Sequence, residues 1–311
     1  MSVFDEIQSA LRERADLSAR LSLIPYEGTP EIKEVSGQKY LYTRKRIGSR
    51  VTSTYVGTYS DELYQLLLRN TREAREIRKS LRKLDKTLAE LGYQEIELAP
   101  RVIQNLDFAR ANMKANIYDQ AVLEGVATSF PQTEEIIENG KVNGMTASDV
   151  QKILNLKHAW EFILDQDVIQ AKSDYYLLCH IAGLVNEGFF ADGGRIRGVP
   201  VSIGGSAYIP PIPIELDVKE DIEKILLSEA DDIDKAIRLC LYVMKTQVFI
   251  DGNKRAAVIY ANHFLIAHGL GFLVIPEAYV SEFKKLLVSY YEGADINTIG
   301  TFLKENCWKT F

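Results

Sequence analysis

Hydrophobic residues recur at helical spacing along most of this chain, and strand-like patterning is confined to two short stretches. Residues 3–23 carry apolar positions at helical intervals, beginning with Phe4 and Ile7. Within 32–57 the segments KYLYTR and RVTSTYVG are rich in Tyr, Thr and Val and flank a turn signal, IGS. This pattern predicts a β-hairpin, with EIKEV as a candidate third strand. So small a sheet needs a helix packed on it to be stable.

A long helix should follow this sheet, with Ser60 as its N-terminal cap. Its apolar positions step alternately by four and three residues, as in a heptad seam: Ile77, Leu81, Leu84, Leu88 and Leu91. Because the seam is short, we expect it to pack within the chain as a helical hairpin and not as a long coiled coil.

The remainder of the chain is predicted to be mainly α-helical. A helix begins near Pro100, a capping box at Thr146 and Asp149 opens another, and a third covers 172–187. The segment GGRIRGVPVSIGGSAYIPP, rich in glycine and proline, predicts a hairpin followed by an extended stretch. Further helices are expected over about 218–228, 232–247, 253–268, 276–291 and 295–306.

Composition narrows the class of protein. With 46% hydrophobic and 26% charged residues, the chain is typical of globular proteins. No apolar run approaches the ~18 residues of a membrane span, and the charged start MSVFDEIQSALRERAD does not resemble a signal peptide. The three cysteines form no C-x-x-C pair, which favours buried thiols in a reducing compartment. We therefore expect a cytoplasmic protein without a membrane segment, a disulfide framework or a zinc site.

Charge is distributed unevenly along the chain. Residues 1–92 hold 17 Lys and Arg against 13 Asp and Glu, which leaves 20 against 30 for the remainder. The run 69–86 alone has eight basic and three acidic residues. Together with the Tyr-rich hairpin, this run could bind nucleic acid through phosphates. The alternative, which the short pattern favours, is a solvated helix face on a packing module.

The strongest chemical signal is the stretch TQVFIDGNKRAAVIY, at 246–260. Asp251 ends a loop and a helix begins at about Asn253, where unpaired backbone N–H groups and the helix dipole favour anions. Gly252 allows close approach of the backbone, while Lys254 and Arg255 add positive charge. Asp251 offers an oxygen ligand suited to Mg²⁺ bound to phosphates. These features indicate a nucleotide phosphate site, and a capped helix start with surface charges is the alternative.

This stretch also resembles a known family signature. QVFIDGNKR is similar to the motif H-x-F-x-[D/E]-G-N-[G/K]-R-x-x-R of the Fic family. RIRGVPVSIGGSAYIPP resembles the family's flap hairpin, and CHIAGLVNEGFFADGGRIR resembles the helix before it. VLEGVA, which contains Glu124, resembles the autoinhibitory motif [S/T]-x-x-x-E-[G/N]. The resemblance covers roughly 110–311 in the same order.

The resemblance implies a fold, an activity and a set of site residues. The fold would be mainly α, with a Fic-type helical domain and a small β-hairpin flap at 110–311, preceded at 1–109 by an N-terminal helix, small β-sheet and helical hairpin. Most Fic proteins transfer AMP from ATP to a hydroxyl of a target protein, and a G-N-K branch transfers phosphate. ATP or another nucleotide and Mg²⁺ would be the cofactors.

The resemblance assigns a role to individual residues. Asp251 would hold the metal and Glu124 would regulate the site. The phosphate-binding residues would be Gly252, Asn253, Lys254 and Arg255. The flap residues that dock the target protein would be Val201, Ser202, Ile203 and Gly204. A homodimer is left open by the sequence.

Three positions depart from the family pattern. Gln247 occupies the place of the catalytic histidine, Val258 that of the last arginine, and Gln120 that of the Ser or Thr in the inhibitory motif. A glutamine can orient a hydroxyl but cannot take its proton, and loss of a positioned base costs on the order of 10²–10⁴ in rate. Without the last arginine, Glu124 has no obvious arginine partner.

The remaining histidines offer no clear substitute base. We expect His158 at the surface, His180 in the core, and His263 and His268 too far along their helix from the loop. The leading hypothesis is a Fic-related protein adenylyltransferase or phosphotransferase with reduced or altered activity. The alternatives are an inactive nucleotide-binding or scaffolding pseudoenzyme, and a nucleic-acid-associated regulator.

Overall fold

The computed structural model describes residues 3–95, 97–139 and 144–311, and the chain divides into two compact units. The first runs to Glu95, and the second comprises Ile96–Ile137 and Val142–Phe311, with the short segment 138–141 grouped with the first. The expected mainly α class is confirmed. The boundary expected between residues 109 and 110 falls within one continuous helix, Pro100–Leu123, and all of this helix belongs to the second unit.

The first unit is a small antiparallel sheet covered by helices. Its elements are α1 (Val3–Leu23), β1 (Thr29–Val35), β2 (Gln38–Ile47), β3 (Arg50–Thr58) and α2 (Asp61–Glu90), and the strand order is β1-β2-β3. The predicted hairpin, third strand and long helix are confirmed. The Ser60 side chain accepts a hydrogen bond from the Leu63 N–H, so it caps α2 as expected.

Apolar residues fix how this unit packs. Leu41 and Val56 of the sheet pack against Leu67 of α2. Further along α2, Leu88 packs with a cluster on α1 that includes Leu11. Residues of the heptad seam therefore pack within the chain, as predicted, and they hold α2 against α1.

The second unit is a helical bundle with one minimal sheet. Its helices are α3 (Pro100–Leu123), α4 (Phe130–Asn139), α5 (Ala147–Ile163), α6 (Gln166–Ile169), α7 (Tyr175–Val185), α8 (Glu215–Leu227), α9 (Asp232–Thr246), α10 (Asn253–Ala267), α11 (Val280–Tyr291) and α12 (Ile296–Asn306). Strands β4 (Phe272–Leu273) and β5 (Trp308–Lys309) pair antiparallel. The sequence patterns missed α4, α6 and this two-residue pairing. No helix in the described part of the chain is long and apolar enough to cross a bilayer.

Helix α10 lies at the centre of this unit and packs against α3, α5, α7 and α9. Nearly all of its residues, polar ones included, are buried, as expected for a helix at the core of the unit. Its polar residue His263 is satisfied by the Ser173 hydroxyl and the Val168 carbonyl, each at 2.8 Å. Because α10 is buried, the start of this helix is held in a fixed position. The sequence predicted a phosphate site at this helix start.

Two local expectations are corrected. His158, expected at the surface, is buried, because α5 packs against both α3 and α7. The flap segment also differs from the expected hairpin: residues 196–214 turn at Gly204–Gly205, closed by Ser206 N–H to Ile203 O at 3.2 Å, and no strand forms in this described segment. Its four prolines cannot donate ladder hydrogen bonds.

Candidate functional site

The loop between α9 and α10 is closed by its own hydrogen bonds. The Asn253 side chain accepts from the Phe249 N–H at 2.9 Å and donates to the Phe249 carbonyl at 2.8 Å. Phe249 itself is fully buried, so the loop is anchored in the core. Gln247 and Gly252 adopt left-handed backbone conformations, with φ of 50° and 72°. These two turns shape the segment from Asp251 to Lys254 at the start of α10, in which Asp251 is exposed and Asn253 is buried.

Asn186, at the end of α7, supports this loop from the other side. Its side-chain N–H₂ donates to the Asp251 carbonyl at 2.9 Å and to the Gly193 carbonyl at 3.0 Å. A Cβ at Gly252 would lie 2.5 Å from the Asn186 Oδ1. The close approach and the positive φ both require glycine at position 252. Sequence patterns did not single out Asn186, because its partner in the loop, Asp251, lies 65 residues away in the chain.

Arg255 was expected to contact a phosphate, but the structure places it beneath the loop. Its side chain is only 2% exposed. It donates to the Val185 carbonyl at 2.7 Å and to the Asp251 carboxylate at 3.0 Å. The helical spacing of Asp251 and Arg255, four residues apart, brings these charges together. In this arrangement Arg255 supports the loop and is not among the described residues that line the cavity discussed below.

Glu124 lies between the two cations of the motif. It forms the C-terminal cap of α3, and its side chain is 13% exposed. One carboxylate oxygen is 3.5 Å from Lys254 Nζ and the other is 3.6 Å from Arg255 Nε. The expectation that Glu124 lacks an arginine partner is therefore wrong, because α3 packs against the start of α10 and brings it to Arg255.

Gln120 ties the same two helices together. Its side-chain N–H₂ donates to the Arg255 carbonyl at 2.9 Å, and its Oε1 accepts from the Trp160 indole at 3.1 Å. All of these groups are buried, so the amide is fully used inside the protein. The glutamine at this position of the inhibitory motif thus fixes Glu124 near the loop.

A cavity of about 430 Å³ opens over the loop. This volume is within the range of small-molecule sites. Its walls include Glu124, three flap residues and the motif, and α11 completes them with residues the sequence did not single out, among them Lys284 and Tyr291. The predicted site residues that line it are Glu124, Ser202, Ile203, Gly204, Gln247, Asp251, Gly252, Asn253 and Lys254. Arg255 and Val201 are not among the described residues of these walls.

The walls of the cavity combine groups of both charge signs. Among the described residues no side chain caps the first turn of α10, and Gly252, Asn253 and Lys254 line the cavity, so the positive end of the helix dipole lies at its wall. Lys254 and Lys284 add two cations. Glu124 and Asp251 bring two carboxylates to the same walls, so the net charge of the lining side chains is close to balanced.

Gln247 faces this cavity with both ends of its amide engaged. Its N–H₂ donates to the Met244 carbonyl at 2.6 Å, and its Oε1 accepts from Asn253 Nδ2 at 3.2 Å. No histidine is found among the described residues that line the cavity. Burial raises the pKa of the Tyr291 hydroxyl well above its ordinary value, so it stays protonated at neutral pH. The cavity can orient a ligand but holds no imidazole base.

The residues present fit a metal only together with a ligand. The described residues contain no group of three or more His, Cys, Asp or Glu side chains placed to hold an ion. Asp251 is 54% exposed and uses Oδ2 for Arg255, which leaves Oδ1 without a described partner. A single carboxylate of this kind suits Mg²⁺, which proteins bind through one or two carboxylates plus substrate phosphates.

Arg197 and Glu292 hold the flap in place. The Arg197 guanidinium donates to the carbonyls of Val199 at 2.7 Å, Pro211 at 2.6 Å and Gln247 at 2.6 Å. Arg197 therefore joins both ends of the flap segment to the backbone of Gln247, the residue at the position that the Fic motif gives to histidine. At the turn of the flap, Glu292 Oε1 accepts from Ser206 Oγ and Ala207 N–H, each at 3.0 Å. The Ala207 N–H, followed by the Ser206 hydroxyl, lowers the pKa of Glu292.

Comparisons with known proteins agree with this architecture. Residues 172–265 match the profile of the Fic/DOC family, and residues 4–65 match a domain of unknown function, DUF6788. No curated protein matches the chain by sequence.

Solved structures with a similar fold come from an animal and from bacteria. Fic-1 from C. elegans aligns with a TM-score of 0.54 at 21% identity, over 79% of this chain and 74% of that one. A Fic domain containing signaling protein from Bacteroides thetaiotaomicron gives 0.53 and 17%, over 67% and 85%. A Fic family protein from Desulfovibrio desulfuricans gives 0.52 and 15%, over 68% and 73%. These likenesses support the fold, and the profile match shows a Fic/DOC domain at residues 172–265.

Proposed function

We propose that the cavity binds a nucleotide, with its phosphates at the start of α10, and that the protein transfers AMP from ATP to a target-protein hydroxyl at a strongly reduced rate. The observation that carries this proposal is the uncapped first turn of α10, which opens onto the cavity beside Lys254. Backbone N–H groups, a helix dipole and a lysine form a phosphate site by simple electrostatics.

Each wall of the cavity has a part in this proposal. Gly252, Asn253 and Lys254 cradle the phosphates, and Lys284 contributes a second cation from α11. Arg255 keeps the loop in shape from below. When bound with the nucleotide, Mg²⁺ would neutralise phosphate charge, and Asp251 would be its protein ligand. Ser202, Ile203 and Gly204 edge the cavity, where a target hydroxyl could be docked beside the nucleotide.

The reduced rate follows from Gln247. A general base near neutral pKa typically contributes 10²–10⁴ to such a transfer. Gln247 cannot accept a proton, and its amide is held by Met244 and Asn253. Gln247 can therefore only orient the attacking hydroxyl.

A second candidate is a nucleotide-binding pseudoenzyme that uses the flap as a scaffold for its partner. The same contacts favour it, because both ends of the Gln247 amide are occupied within the protein. In either case Glu124 acts as the regulator. Its carboxylate lies 3.5 Å from Lys254 and competes with a phosphate for that cation.

Calorimetric titration with ATP and Mg²⁺ tests nucleotide binding. We expect Lys254→Gln to weaken ATP binding about tenfold, which corresponds to one lost charge-assisted hydrogen bond. Lys284→Gln should weaken it less, because the α11 lysine is exposed and more strongly hydrated. Lys285→Gln is the matched control: it is the exposed neighbour of Lys284 and is not among the described cavity residues.

The titration distinguishes the two candidate functions from a loop that has only a structural role. Binding that depends on Lys254 and is unaffected in the Lys285 variant supports a live nucleotide site. If the folded wild-type protein shows no heat of binding with ATP, the loop serves only as the start of α10 and both candidates fail.

A further inference from the structure

The first unit contains a second concave surface, far more basic than the cavity over α10. A cleft of about 570 Å³ lies between the sheet and α2. Strand β2 contributes Arg44, Lys45 and Arg46, and α2 contributes Arg75, Arg78, Lys79 and Arg82. We call this surface the basic cleft.

Most of these charges have no acidic partner. Glu27 is the one acid among the described residues of the cleft, and its carboxylate pairs with Lys45 at 2.6 Å and with Arg78. In the described part of the chain no carboxylate pairs with the other five, which are exposed: Arg44, Arg46, Arg75, Lys79 and Arg82. Like charges held around one concave surface repel each other and focus a positive potential there. Such a surface favours an anion with many charges.

The spacing of the α2 cations favours a repeating anion. Arg75, Arg78, Lys79 and Arg82 recur at three- or four-residue intervals, so they form a row along the helix. The row spans about 10 Å, since an α-helix rises ~1.5 Å per residue. A single phosphate would meet only part of this row. A polymer with regularly spaced phosphates could contact all of it.

Aromatic rings lie on β2, the strand that supplies Arg44 and Arg46, and on its neighbour β3. Tyr40 and Tyr42 are half-buried and precede these arginines at alternate positions of β2. All four side chains therefore share the face of the sheet opposite to the one on which Leu41 packs against α2. Both tyrosines contact Tyr55 on β3, with ring centroids 6.2 and 5.5 Å apart, and Tyr55 is 52% exposed. Arg44 and Arg46 line the basic cleft and also belong to the face that carries these rings, so they connect the cleft with a surface on which unpaired bases can stack.

We propose that the basic cleft binds the phosphate backbone of a single-stranded nucleic acid, whose bases stack on the tyrosines of β2 and β3. Stacking requires bases that are splayed out, and a duplex keeps its bases paired. The site is distinct in residues and in charge from the nucleotide cavity, so it does not depend on the proposed transfer activity.

The test is fluorescence anisotropy of the full chain with a labelled single strand of about 12 nucleotides. The variant Arg75→Gln/Lys79→Gln/Arg82→Gln removes three cleft cations. The matched control Arg69→Gln/Arg72→Gln/Lys83→Gln removes the same residue types from the same helix, at exposed positions outside the described walls of the cleft. Circular dichroism verifies that both variants keep the fold.

We expect the cleft variant to lose at least tenfold in affinity at about 50 mM salt and the control less than about threefold. The slope of log affinity against log salt should fall by about 2 in the cleft variant, at ~0.7 per phosphate contact. Tyr55→Ala should weaken binding by about tenfold without changing that slope, because stacking releases no counterions.

Several results would overturn the proposal. Equal losses of affinity in the two triple variants would mean that the overall positive charge of α2 attracts the strand and that the cleft is not a defined binding site. Absence of oligonucleotide binding at low salt would eliminate the site. A preference for a duplex of the same length, or for vesicles of anionic lipid, would assign the cleft to a different polyanion. Competition by inorganic phosphate at an equal phosphate concentration would reduce it to a simple anion site.

Discussion

The cavity over α10 and the basic cleft beside α2 have similar volumes, about 430 and 570 Å³, but they are built in opposite ways. The cavity balances Lys254 and Lys284 against Glu124 and Asp251 on walls held by buried side chains. The cleft gathers seven cations against the single acid Glu27 among its described residues. Shape should therefore decide what the cavity accepts, whereas charge should decide what the cleft accepts.

Two arginines make the same contrast. Arg255 is almost fully buried and its guanidinium is bonded to a carbonyl and a carboxylate, so it supports structure. Arg75 is exposed, with no acidic partner in the described residues, so its charge is available to a ligand. Exposed charges are screened by salt and buried ones much less, so the two sites should respond differently to ionic strength.

The largest effect is expected from restoring a base in the cavity. Gln247→His should raise transfer of labelled AMP from ATP by about 10²–10⁴, since an imidazole can accept the hydroxyl proton. Label incorporated into protein and release of pyrophosphate measure the rate.

Gln247→Asn is the control, because it keeps an amide and adds no base, and it should not accelerate transfer. The triple variant of the basic cleft should leave the rate with ATP unchanged. If Gln247→His binds ATP as the wild type does and still transfers nothing, the pseudoenzyme candidate is the better one.

A smaller but clear effect is expected from the shape of the loop. Gly252→Ala would bring a Cβ to 2.5 Å from Asn186 Oδ1 at a φ of 72°. We expect a loss of ATP binding and a fall of about 2 kcal/mol or more in the free energy of unfolding, measured by denaturant titration.

Gly205→Ala is its matched control. Gly205 has a similar φ of 82° but open space around its Cβ position, so only the ~1 kcal/mol backbone penalty should remain. Equal losses of stability in the two variants would show that the contact with Asn186 is unimportant.

The smallest effect is expected from the charge of the cavity. Glu124→Gln removes the carboxylate that lies beside Lys254 and should strengthen ATP binding about fivefold, or ~1 kcal/mol, by calorimetry. Glu282→Gln, at an exposed position of α11 outside the described cavity walls, should leave the affinity unchanged. Weaker ATP binding in Glu124→Gln would mean that the carboxylate supports the loop more than it excludes phosphate.

Much of the fold was predictable, because local rules act strongly in this chain. Two segments rich in Tyr, Thr and Val on either side of a turn signal predicted β2 and β3, and a side-chain cap at Ser60 marked the start of α2. The flap was harder to predict. Its β-type residues suggested a hairpin, but Arg197 takes up carbonyls of the segment, and its prolines have no N–H to pair.

The sequence by itself determined where the chemistry of the candidate site begins. Asp251, Gly252, Asn253 and Lys254 are neighbours in the chain, so their grouping at a helix start is a local property. The replacement of a histidine by Gln247 is likewise visible without coordinates. Local spacing also revealed the basic run 69–86.

Only the tertiary structure decided how these groups are used. Helix α3 packs against the start of α10 and brings Glu124 to Lys254 and Arg255, across more than a hundred residues of chain. Helix packing also buries Arg255 beneath the loop and adds α11 to the cavity wall. Periodicity reports which face of a helix is apolar, but not which helix will cover it. The neighbouring helix therefore decides which charged side chains are buried. A buried charge supports the structure, whereas an exposed charge remains available to a ligand.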